Sequence, residues 1–382
     1  MMTRTLPGTA RRLFLLATAA LAAGCSVFDG LLEVESVDQV LAIDLEQPAN
    51  AELLVNGAVT DFNCALSNYA LAGGIVADEV AWGDNNSFDF ERRTFTSLGG
   101  TYATSQCSTS AGGNIGVYTA LSTARFTNAR SHQLLSEWSD ADVPRRAILL
   151  ATTSAHEAYS ILLLGEAMCS LAIDQGPELT RAQAWAIAEE SFTRAIQEAT
   201  AAGRQDILNL ARVGRARTRL NLGRAADAAT DAATIPEGFV WNATFGGANW
   251  RSRNQFHQWM NIESRAAVDS FFWNAQTNGK PDPRVALTNT GKTTLNGNQL
   301  VVPDKYSSPT SPMAVARWEE AQLIIAEARL EAGDLTGVIE IIDNLRARVG
   351  LDPFDGTGEA AVRAALYEER SRELFLESHR LG

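Results

Sequence analysis

"RWEEAQLIIAEARLEA", residues 317–332, carries two apolar stripes. Trp318, Ala321, Ile325, Ala328 and Ala332 form one at helical spacing, and Leu323, Ala326 and Leu330 form the other. A helix that is apolar on two faces must pack on both sides, as it does in a stack of helical hairpins. Residues 144–172 read the same way. Ile148, Ala151, Ala155, Tyr159 and Leu162 recur every three or four positions, and Pro144 suits the first turn of that helix.

Three segments then share a pattern of small residues. Leu164-Gly165 is followed by Ala188, Phe192 and Ala195. Ala216, Gly223, Ala228 and Ala232 keep similar offsets, and Pro236 closes the unit. Ala326, Gly333, Val338, Ile342 and Leu345 repeat them without a gap. Small residues let two helices approach closely, and a glycine at the hairpin permits the turn. The spacings resemble the tetratricopeptide repeat. The expected fold is therefore mainly α, a tetratricopeptide-like α-α superhelix with a loop-rich, largely irregular second half.

The chain divides accordingly. Residues 1–24 read as a signal peptide, with Arg4, Arg11 and Arg12 ahead of an apolar run from Leu13 to Ala23. That run is too short to cross a bilayer, which takes about 20 apolar residues. It ends in "LAAGCS", 21–26, which looks like a bacterial lipobox with Cys25 as the acylated residue. Acyl chains would hold the protein on a membrane without a spanning segment, and no other stretch reads as one. Residues 25–116 comprise a tether, a helix over 46–72 and a loop-rich segment. Residues 117–237 hold the helical hairpins. Residues 238–313 are a loop-rich aromatic insertion containing four of the eight tryptophans. Residues 314–382 form a further helical hairpin that reads as cut short.

The composition, 46% hydrophobic and 20% charged, is that of a globular chain. The net charge of −13 becomes more negative once the leader arginines are removed, which argues against nucleic acid as a partner. Export brings Cys64, Cys107 and Cys169 into an oxidising compartment, so one disulfide and one spare thiol are expected, with the pairing open.

No catalytic constellation presents itself. "HEAYS", 156–160, lacks the second histidine of a zinc protease. "TGKT", 290–293, lacks the first glycine of a phosphate loop. "RVGRARTRLNLGR", 212–224, reads as a solvated helix face paired with Asp227 and Asp231. "ELFLESHR", 373–380, reads as a helix whose Glu and Arg pair at spacings of three and four while Leu374 and Phe375 face the core. No metal ligands or cofactor are indicated. Aromatic rings beside amides and guanidiniums remain. "AWGDNNS" sets Trp82 beside Asn85 and Asn86, and "NWRSRNQFHQW" sets Trp250 and Trp259 around Arg253 and Asn254. A flat ring offers an apolar face to a sugar or side chain, and the polar neighbours can hydrogen-bond hydroxyls. These seven residues are the expected ligand contacts, with about two of the loop tryptophans touching ligand and core anchoring of irregular segments as the alternative for any one of them.

"DPRV" at 282–285, "DKYSSPTSPMAVARWEEAQLIIAEARLEAGD" at 304–334, "NLRARVGLDPF" at 344–354 and "EERSRELFLESHRLG" at 368–382, with the lipobox and the early "LLEVES", resemble the SusD/RagB family of outer-membrane nutrient-binding lipoproteins. The resemblance implies a tetratricopeptide-like half and a loop-rich half with the ligand site. It also implies a place on the cell surface over a SusC-like TonB-dependent transporter, and an oligosaccharide, peptide or other polymer as ligand. Family members run on past "HRLG", and this sequence stops at Gly382. The expectation is a binding protein, not an enzyme, held to the outer membrane by its acyl chains alone. The competing reading is a helical-repeat scaffold lipoprotein of the cell envelope.

Overall fold

The computed structural model describes residues 45–84, 101–107 and 115–381. The leader, Cys25 and the tether lie outside these residues, as do Asn85 and Asn86. Six helices form the first run: α1 (Ala51–Val76), α2 (Tyr118–Glu137), α3 (Arg146–Ala167), α4 (Arg181–Ala201), α5 (Gln205–Asn221) and α6 (Ala225–Ala232). From α2 on, each helix packs on the next, and α1 lies against α2 and α3. Three more follow the insertion: α7 (Trp318–Glu331), α8 (Leu335–Arg348) and α9 (Glu359–Glu373). α6 packs directly on α7, so the superhelix continues across the insertion.

The sequence pattern accounts for this stack. The small residues sit where helices touch: Ala188, Phe192, Ala195, Ala216, Ala228 and Ala232 are all fully buried. A Cβ on Gly214 would stand 2.3 Å from the Phe192 ring, so only glycine lets α5 come this close to α4. Gly223 and Gly333 adopt φ of 71° and 76°, the left-handed conformation that ends one helix and turns into the next. A capping box between Thr180 and Gln183 fixes the start of α4. Tyr159 of α3 meets Phe192 edge-on at 4.9 Å, in the middle of the core.

The two stripes of α7 fare differently. Leu323, Ala326 and Leu330 are buried, as are Trp318 and Ala321, but the first stripe fades through Ile325 and Ala328 to an exposed Ala332. α3 corrects the expectation that nothing else is apolar enough to span. By length and hydropathy it would pass, and it is the sole such helix among the described residues. Here 72% of its apolar window is buried between neighbouring helices.

Ten short strands pair as five two-stranded ladders among the described residues. β2 (Ser170–Leu171) with β3 (Leu179–Thr180) interrupts the helical run. β6 (Gln276–Thr277) with β7 (Lys280–Pro281), and β8 (Leu287–Thr293) with β9 (Gln299–Pro303), are hairpins of the insertion. Two ladders reach further. β4 (Val240–Ala243) pairs antiparallel with β10 (Met313–Arg317), so the two ends of the insertion close on each other just before α7. β1 (Val80–Trp82) pairs antiparallel with β5 (Ala266–Val268), which ties the insertion to the segment after α1. The insertion is thus built from small ladders and single helical turns, not from bare loop.

Cys64 and Cys107 form the disulfide, and Cys169 is free and exposed. The arginine run pairs as expected with Asp231, through Arg215 and Arg219, but Arg217 departs from it. Arg217 is buried, and donates to both carboxylate oxygens of Glu166 at 2.8 and 2.6 Å and to the Ser378 carbonyl at 2.6 Å. Tyr69 and Asn221 donate to the same carboxylate. The "ELFLESHR" helix is also corrected. α9 stops at Glu373, and Leu376 and Ser378 take positive φ. Leu374 and Phe375 do face the core. Glu373 and Glu377, however, pair with Arg317 and Lys305 from the insertion end instead of with neighbours one turn away.

Candidate functional site

β1 and β5 form the floor of a cleft of about 300 Å³. The register sets Val80 against Val268, Ala81 against Ala267 and Trp82 against Ala266. Side chains alternate across a strand. Val80 and Trp82 therefore point inward, whereas Ala81, together with Gly83, Ala267 and Val268, lines the opening. One wall is the turn after β5. Asp269 caps it, its carboxylate accepting from the Phe271 amide at 2.9 Å, and Ser270 and Trp273 face the cleft. The Trp273 indole N–H donates to the Val268 carbonyl at 2.8 Å, which pins the ring to the floor. Phe271 stands at this wall 72% exposed. The other wall is the tip of the β8–β9 hairpin, with Thr294, Asn298 and Gln299. A Cβ on Gly83 would come within 2.5 Å of Thr294, so a glycine is required where the floor meets this wall. Gly83 also accepts from the Asn296 amide at 2.9 Å and donates to the Arg265 carbonyl at 2.8 Å.

The lining is an indole, hydroxyls, two side-chain amides and one carboxylate, with no cation among the described lining residues. Such a surface can stack on an apolar face and exchange hydrogen bonds with hydroxyl groups.

The three tryptophans singled out by sequence meet behind this floor. Trp82 lies 5.4 Å from Trp259, and Trp250 lies 5.9 Å from Trp259. Two of the three are buried. Trp82 and Trp259 are buried, at 8% and 4% exposure, and support the floor instead of lining the cleft. Trp82 is on the inward face of β1. Trp259 sits in a π-helical turn, His257–Ile262, with its indole N–H donated to the side-chain amide oxygen of Gln255 at 3.0 Å. Asn254 is fully buried. Its amide donates to the Ser311 carbonyl and its oxygen accepts from the Phe256 and His257 amides, so it caps this turn from within the core. Trp250 is half-buried at the outer end of the trio. Arg253 is half-buried too and donates to Gly247 and Gln258. Burial lowers the pKa of the His257 imidazole and keeps it neutral behind the site. Trp273 was not singled out by sequence. The available signal was the Asp-Ser run ahead of "FFW", which caps a turn and so presents the aromatic residues.

Residues 239–381 match the sequence model of the SusD family, a span that includes both cleft walls. No curated protein matches the sequence. Solved structures share the fold over most of the chain. A SusD superfamily protein from Bacteroides thetaiotaomicron is 14% identical, with a TM-score of 0.63 over 88% of this chain and 89% of its own. A SusD-like carbohydrate binding protein from Bacteroides vulgatus is 13% identical, with a TM-score of 0.58 over 87% and 82%. Surface glycan-binding protein A from Bacteroides uniformis is 10% identical, with a TM-score of 0.60 over 86% and 87%. At these identities the likeness is one of fold. Residues 239–381 thus match the SusD family model, within a fold that SusD superfamily structures share over most of the chain.

Proposed function

We propose that the protein captures a neutral oligosaccharide in the cleft between the Trp273 turn and the β8–β9 tip, and does no chemistry on it. The observation that supports this most is the lining itself, in which an anchored indole faces amides and hydroxyls, with no cation among the described lining residues. The glycan- and carbohydrate-binding proteins among the structural neighbours fit the same reading. The helical superhelix is the rigid frame, and the insertion is the binding face. Trp250 and Arg253 are further candidate contacts, as Asn85 and Asn86 are on the sequence reading, while Trp82, Trp259 and Asn254 hold the floor of the cleft. Cys25 carries the acyl chains that keep the body at the outer membrane, on the cell surface. There the protein hands its ligand to a SusC-like TonB-dependent transporter.

Calorimetry of the acyl-free protein against a panel of neutral and acidic oligosaccharides and peptides tests the reading. At least one neutral glycan should bind, and Trp273→Ala should weaken it at least tenfold. Binding confined to peptides, or an unaffected variant, would refute it. Incubation with the bound glycan should leave its chain length unchanged.

A further inference from the structure

The floor of the cleft and its Trp273 wall are held from behind by one short segment, Phe375–Arg380, which follows α9. Glu79, the residue before β1, is buried, and its carboxylate pairs with the Arg380 guanidinium at 2.7 Å. It also accepts from the Leu376 amide at 3.4 Å. The Glu79 carbonyl accepts from the Asp269 amide at 2.9 Å, so this residue joins the floor strand to the first residue of the Trp273 turn. The same Arg380 lies 5.9 Å from the centre of the Phe272 ring, beside Trp273. Phe375 packs against that ring from 4.7 Å. Arg380 therefore touches the support of the floor through a charge pair and the support of the wall through a cation–π contact.

Resting on the reading of the cleft as the ligand site, we infer that Arg380 is a positioning residue for ligand binding. It sets the spacing of floor and wall through Glu79 and Phe272 without touching the ligand. Burial pushes the Glu79 carboxyl up from its ordinary range, and the guanidinium opposes this. Removing Arg380 thus leaves a buried acid without its counter-charge at the junction of the floor and the Trp273 wall.

The test uses the full chain without ligand. Arg380→Ala should shift the Trp273 indole N–H resonance, assigned with Trp273→Phe, and raise hydrogen exchange at the Asp269 amide at least tenfold. Arg380→Lys, which keeps the charge on Glu79, should restore much of the exchange protection. Arg363→Ala, an exposed position on α9, should change neither. If Arg380→Ala does not fold, Glu79→Gln, which keeps an acceptor for Leu376 but loses the charge, is read in its place. A Trp273 resonance and Asp269 exchange unchanged in the folded variant would overturn the inference, whatever the cleft binds. With the oligosaccharide that wild type binds best, Arg380→Ala should weaken affinity about tenfold. If affinity holds while the resonance moves, the segment shapes a cleft that is not the ligand site.

Discussion

The two regions of this molecule are held together by different means. In the helical run, neighbours in sequence are neighbours in space, and side chains do the holding. Alanines and glycines set the helix separation, Tyr159 and Phe192 fill the gap, and Arg217 locks α5 to Glu166 of α3. In the insertion, local hairpins are joined to the rest by partners far apart in sequence. β5 needs β1, the Gln255 amide needs the Ser67 hydroxyl, and Asn254 needs Ser311. The first kind of structure is stiff wherever its repeat continues. The second takes its shape from distant parts, and so it can vary its lining without losing the frame.

That contrast implies that frame substitutions strike stability and insertion substitutions strike binding. Arg217→Ala should cost most. It leaves Glu166 buried without its partner, and breaking one member of such a pair costs about 3–5 kcal/mol. Denaturant unfolding reads it, and a loss below about 1 kcal/mol would remove Arg217 from the frame's account. Cys107→Ser comes next. The disulfide closes a long loop onto α1, and its removal should lower stability by about 2–4 kcal/mol while the helical signal is kept.

Glu320 of α7 sharpens the comparison, because it is a buried charge that weakens the frame. Burial pushes its carboxyl from 4.5 up to about 7, against Arg217, Arg370 and Arg317. The folded state therefore keeps a proton that the unfolded state loses. The group costs nothing below about pH 4.5, costs progressively more as pH rises to about 7, and levels off above. Glu320→Gln should raise stability by about 2 kcal/mol at pH 8 and leave it nearly unchanged at pH 4. Equal effects at both pH values would mean the side chain acts through packing alone. The smallest effect on stability should come from Trp273→Ala, where the change appears instead as weaker ligand binding of tenfold or more, about 1.4 kcal/mol. A large fall in melting temperature with intact binding would reverse the roles of the two regions.

The frame is legible in the sequence for a physical reason. A helix buries a stripe that recurs every three or four residues, and a hairpin glycine such as Gly223 or Gly333 marks where it turns. Three tryptophans that meet in space stand out there too, although Trp82 lies far from the other two in the chain. Their burial was not legible. β1 is three residues long, too short to show alternation, and which face is inward depends on its pairing with β5. Arg217 looked like its neighbours because its partner Glu166 lies 51 residues earlier on another helix. Trp273 could be counted but not placed, since the bond that presents it runs to the carbonyl of Val268 and not to a side chain.

The most direct test of this division is a titration followed through the tryptophan indole N–H resonances. As the best-binding oligosaccharide is added, the Trp273 signal should move and saturate, while those of Trp185 and Trp318, buried in the frame, should stay in place. Shifts confined to Trp185 and Trp318, with Trp273 unmoved at saturation, would contradict the account.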